Sequence, residues 1–129
     1  MQIVVSASLV IAAVIHLLPL TGVVSAKALA QLYGLPFEES NLQILMRHRA
    51  VLFGLLGVFL MIAAFTPRLQ TLAFAAGLIS AGSFLWIAFA VGGYNALLQR
   101  VVVADIIAVA CLLVGAGVRL FQARGSVPP

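Results

Sequence analysis

The side chains that could do chemistry in this chain are few. Arg47, His48 and Arg49 run straight into the apolar stretch Ala50 to Phe65, and Asp105 is the one acid set inside another apolar stretch. An arginine and a carboxylate in apolar surroundings can neutralise each other, hold the polar end of a ligand, or carry a proton. His16, one turn before Pro19, and Trp86 stand in two further apolar runs. Together His16, Arg47, Arg49, Trp86 and Asp105 form a candidate ligand-binding set. A different chemistry is open to the two histidines. His16 and His48 fall on neighbouring runs, and two imidazoles facing each other across a helical bundle can hold one haem b, with Arg47 and Arg49 near its propionates. Each residue also has a plainer reading. An Arg–Asp pair can simply specify the fold, His16 can be a hydrogen-bonded packing residue beside a kink, Trp86 can anchor a helix, and Ser80 and Ser83 can join helices.

The elements that must position these groups follow from composition. Of 129 residues, 64% are hydrophobic and 8% charged, well outside the range of soluble domains and typical of an integral membrane protein. The net charge of +4 comes from Lys and Arg scattered around apolar runs. It makes no basic face for nucleic acid, and fits membrane orientation and anionic headgroups. A lone Cys111 excludes an intrachain disulfide, and no nucleotide-binding loop, zinc-protease helix or serine-nucleophile elbow is present. A non-catalytic or accessory role is therefore expected.

Four membrane spans are predicted, over about 3–24, 42–65, 71–92 and 101–119, at about 20 residues per crossing. The first lacks a basic leading region and a convincing Ala-x-Ala site, so it reads as a retained span rather than a signal peptide. Pro19 predicts a kink within it. Residues 26–34 have helical spacing but are too short to span; with Ser25 as N-cap, Gly34 just past the end and Pro36 beyond, they predict an interfacial helix. The short Thr66–Gln70 link and the Gly92–Asn95 break turn the chain back each time. The expected fold is all-α, one membrane domain over 1–129, an antiparallel four-helix bundle.

In that topology the polar residues share one leaflet. At about 1.5 Å per residue, Arg47 to Arg49 lie roughly 7 to 10 Å from one surface, Asp105 roughly 6 to 8 Å, Trp86 roughly 9 Å and His16 roughly 12 Å. Arg47 shares a helix face with Ala50, Gly54 and Gly57, which favours an inward direction, while Arg49 points about 160° away at 100° per residue. One of the two is expected to go inward to Asp105 and the other to reach for headgroups.

The order of an N-terminal span ending in His and Pro, a Tyr-Gly-x-Pro link at Tyr33–Pro36, Arg49 with Gly54, the Gly/Ser-rich third span from Gly82 to Gly93, and Asp105 near the start of the fourth resembles the DoxX-like group of small membrane proteins, notably the DUF4345-type families. Arg47 departs from it, where relatives commonly carry an acid. The resemblance implies a four-helix membrane protein without an assigned activity, some relatives being linked to quinone-coupled sulfur oxidation. The reading as a whole is a multi-pass protein of a bacterial-type inner membrane with cytoplasmic termini. Its polar pocket would take an amphiphile such as a quinone or lipid. The rivals are a haem- or quinone-linked redox subunit and an assembly subunit that binds another membrane protein or a second copy of itself.

Overall fold

The structure is a computed structural model that describes residues 1–126. Among those residues every regular element is helical. Helix α1 spans Gln2–Leu17 and passes into a 3-10 helix over Leu18–Val23. Helix α2 is Ala26–Tyr33, α3 is Ser40–Ala64, a single 3-10 turn covers Pro67–Leu69, α4 is Gln70–Val91, and α5 is Ala96–Gly125. Four segments are long and apolar enough to cross a membrane: Gln2–Val23, Ser40–Ala64, Pro67–Val91 and Ala96–Gly125.

The boundaries have local causes. At Pro19, where a kink is expected, the helix changes type. Proline has no N–H to offer the carbonyl four residues back, but it is tolerated in the first turn of a new helix, and the chain re-enters with 3-10 geometry. That tighter turn brings α2 close. Gly22 is buried in it, and a Cβ there would sit 2.7 Å from Leu29 Cδ2. Helix α2 begins and ends as its sequence predicts: the Ser25 hydroxyl accepts from Ala28 N–H at 3.1 Å, and Gly34, at φ 68°, donates its N–H to Ala30 at 2.8 Å. Leu29 and Tyr33 are buried, so this helix turns its apolar face onto the bundle.

Glu39 caps α3, accepting from the amides of Asn41 at 2.9 Å and Leu42 at 2.8 Å. Those two amide bonds, the Asn41 one first, hold its carboxyl below the ordinary glutamate range. The cap is thus complete above that range and is lost as pH falls through the lowered value. Helix α5 starts five residues before the expected 101, because Asn95 accepts from Leu98 N–H at 2.8 Å and forms its N-cap. The early start places Arg100 in the same helix as Asp105.

Helix α1 packs against α3 and α5, and α4 packs on α5. Close approach depends on small residues: a Cβ on Gly57 would lie 3.1 Å from the Ala13 carbonyl, and one on Gly115 would lie 2.7 Å from Ser8 Cβ. The core between them is Leu9, Ala12, Leu60, Ala63, Phe74 and Leu112. Three side-chain bonds tie the ends together. Ser6 donates to the Ala64 carbonyl at 2.6 Å, Arg119 to the Pro67 carbonyl at 3.0 Å, and Asn95 to the Tyr33 carbonyl at 2.7 Å. Outside the bundle stand large apolar side chains, among them Ile3, Val24, Ile79 and Val91. Soluble monomers rarely expose continuous apolar surface, and the four apolar helices are compatible with a multi-pass membrane protein.

Candidate functional site

Where α2 lies against the bundle, the helices border a half-open cavity of about 280 Å³. Ile15 and Phe53 form part of its inner wall, and Leu18 and Pro19 come from the 3-10 segment. Gln31 and Tyr33 come from α2, and Arg100, Ala104 and Asp105 from α5; Arg49 of α3 completes the polar lining. The walls are thus mostly apolar and carry charges of both signs, the usual composition of a ligand pocket.

Arg49 is held by aromatic rings from three helices. Its guanidinium carbon lies 4.6 Å from the centroid of Phe53, one helical turn along α3, and 5.8 Å from those of Tyr33 and Phe84. Its Nη1 donates to the Tyr33 hydroxyl at 3.0 Å. Ring faces attract a cation that has lost part of its water, so the group is fixed without a carboxylate partner. Tyr33 in turn packs edge-on against Phe37, with centroids 6.2 Å apart.

Asp105 lies on the same cavity and is 5% exposed. Arg49 lines this cavity with it. The expected contact is nonetheless absent: among the described residues no cation comes within 4.0 Å of Asp105 and no hydrogen bond reaches its carboxylate, although the only side-chain oxygen among them that is fully sealed without a partner is Gln70 Oε1. Acid and guanidinium border one space rather than neutralise each other.

His16 stands behind that space. Its Nδ1 is 2.8 Å from the Ala12 carbonyl and its Nε2 is 3.2 Å from the Ser80 hydroxyl. A carbonyl only accepts, so Nδ1 carries a proton and the neutral ring takes the Ser80 proton at Nε2. Ser83 donates to the Ser80 carbonyl at 3.0 Å. The imidazole stacks on Phe53, with centroids 5.5 Å apart and planes at 26°. His16 therefore backs the ring that carries Arg49 rather than lining the cavity.

Three of the expected residues stand elsewhere. Arg47 is exposed; its Nε donates to the Val23 carbonyl at 2.8 Å and its Nη2 to the Val24 carbonyl at 3.3 Å, at the end of the 3-10 segment. The face it shares with Gly54 and Gly57 is buried only farther along α3, and at its own level that face meets bare carbonyls. The inward arginine is Arg49, the reverse of the expectation from the helix face. Trp86 is 78% exposed on the outside of α4 and does not line the cavity. His48 is exposed while His16 is buried among Ala12, Ser80 and Phe53. The structure therefore does not bring the two imidazoles into one buried space.

Tyr33, Phe53 and Arg100 join the site without being among the residues the sequence marks as candidates for it. Phe53 is four residues after Arg49 on one helix, a spacing at which side chains meet. Arg100 is five before Asp105, readable once Asn95 is recognised as the cap that starts α5. Tyr33 gives no comparable signal, since it reaches the site only through the fold-back of α2. Comparison with family models, with curated proteins and with solved structures found no match for this chain.

Proposed function

We propose that the chain is an antiparallel four-helix bundle in a bacterial-type inner membrane, and that its cavity holds the polar end of an amphiphile, a quinone or a lipid, without catalysing a reaction. The antiparallel arrangement is supported by Ser6 bonding to the end of α3 and by Arg119 bonding to the α3–α4 turn. The binding role rests on one observation above the others. A cation held by aromatic rings and a buried acid open onto the same apolar-walled space without pairing. Leu18 lines that space and is itself exposed, which gives an apolar tail a way out beside it. The resemblance to the DoxX-like group bears on this reading through Arg49 and Asp105, two of its motif positions.

Extraction of the protein in mild detergent followed by mass spectrometry of its organic extract tests the role. Wild-type protein is expected to retain about one amphiphile per chain, and Arg49→Gln is expected to lose most of it. An equal, substoichiometric yield of bulk lipid from both proteins counts against a binding site.

The proposed orientation has the chain termini on the cytoplasmic side. Its support is that Arg68 and Arg124, at the end bearing the termini, are exposed and make no hydrogen bond among the described residues.

A further inference from the structure

The cavity presents its two signs separately, and that narrows its ligand. Arg49 uses Nη1 on the Tyr33 hydroxyl at 3.0 Å, which leaves four of the five N–H donors of its guanidinium. Arg100 adds a second cation to the lining, and Asp105, 5% exposed, adds an anion with no hydrogen bond of its own among the described residues. A largely buried carboxylate without a counter-charge is costly even where its oxygens keep some access to the cavity, and the Arg49 guanidinium does not come within pairing distance of it. A ligand that relieves both must bring an anionic group for the arginines and a donor cation for the acid.

Resting on the proposed amphiphile-binding role, we infer that the cavity takes a zwitterionic headgroup, a phosphate joined to a primary ammonium, as in phosphatidylethanolamine. The phosphate faces Arg49 and Arg100, whose planar forks match its oxygens. The ammonium faces Asp105, and the acyl chains leave past Leu18. A quinone meets only half of this demand. Its two carbonyls accept from the arginines, but it offers an ionised Asp105 no donor. An anionic lipid without an amine brings a second negative charge toward Asp105 and leaves the acid unmatched.

The experiment measures binding of dioctanoyl phosphatidylethanolamine, dioctanoyl phosphatidylglycerol and a short-tailed benzoquinone to the purified full chain by native mass spectrometry. The ethanolamine lipid is expected to bind at least about tenfold more tightly than the glycerol lipid, the scale of one charge-assisted hydrogen bond. Asp105→Asn is expected to erase that preference without weakening the glycerol lipid, Asp105→Glu to keep it, and Arg49→Gln to weaken both lipids. Glycerol-lipid binding as tight as that of the ethanolamine lipid, or a preference that survives Asp105→Asn, overturns the inference. Tight binding of the quinone alone overturns it too but leaves the amphiphile role standing, whereas no binding of any of the three removes both. Free phosphoethanolamine that competes as well as the lipid supports the zwitterionic site and assigns it to a soluble headgroup rather than to the bilayer.

Discussion

At the scale of single residues, the site depends on how a guanidinium is kept in place without a carboxylate. Three ring faces and one hydroxyl do this, and only the hydroxyl is a hydrogen bond. Tyr33→Phe keeps the ring and its edge contact with Phe37 but removes the oxygen that Arg49 Nη1 reaches at 3.0 Å. Hydrogen bonds to charged groups contribute about 1.5 to 3 kcal/mol, so the variant is expected to unfold earlier by an amount in that range. Thermal unfolding in detergent, followed by circular dichroism, reads it. An unchanged midpoint would mean that the rings alone hold the arginine. Residue types announced the acid and the arginines, but not which arginine turns inward. A helix face has no single environment along its length: Gly54 and Gly57 are pressed against the Leu20 and Leu17 side chains, while Arg47, on the same face about two to three turns earlier, has passed the packed interior and meets the Val23 and Val24 carbonyls. Angle alone carries no information about what stands opposite at each level.

At the scale of elements, length and apolar composition made the four long helices legible, and residue-specific capping made α2 legible to its last residue. What escaped were changes that depend on neighbours. The passage from α-helix to 3-10 helix at Leu18 follows from Pro19 together with the need to seat Gly22 against Leu29, and the early start of α5 follows from Asn95, whose amide also holds the Tyr33 carbonyl. Packing between α1 and α5 is set by Gly115. A methyl group there would lie 2.7 Å from Ser8 Cβ and 2.8 Å from two ring atoms of Phe74, and a Cβ fixed to the backbone cannot swing aside. Gly115→Ala is therefore expected to force the two helices apart, at the cost of about 1 to 3 kcal/mol typical of overpacking. Gly117, two residues on, has nothing within 4 Å of the same added atom, so Gly117→Ala should leave stability intact or raise it slightly through helix propensity. Parallel unfolding of the two variants in one detergent makes the comparison, and equal losses would remove close packing as the cause.

At the scale of the whole molecule, orientation follows from which cations are free to respond to the positive-inside bias. In the antiparallel reading, the end bearing α2 carries Lys27, Arg47, Arg49 and Arg100, and the opposite end carries Arg68, Arg119 and Arg124. A count by sequence favours neither end clearly. The structure separates them by occupation: Arg47 is bonded to Val23 and Val24, and Arg49 to Tyr33 amid its rings. Arg100 is exposed and makes no hydrogen bond among the described residues but lines the cavity, so once the proposed headgroup occupies it, Lys27 alone stays free at that end. At the other end Arg68 and Arg124 are exposed and make no hydrogen bond among the described residues, and Arg119 binds only the Pro67 carbonyl. Charges engaged by the fold are poor retention signals, so the end with Arg68 and Arg124 is expected to face the cytoplasm, placing the cavity in the outer leaflet. With Cys111 replaced by alanine, a membrane-impermeant thiol reagent should label Lys27→Cys in intact cells but Ser126→Cys only after permeabilisation. The opposite pattern would reverse the orientation, and with it the leaflet from which an amphiphile enters beside Leu18.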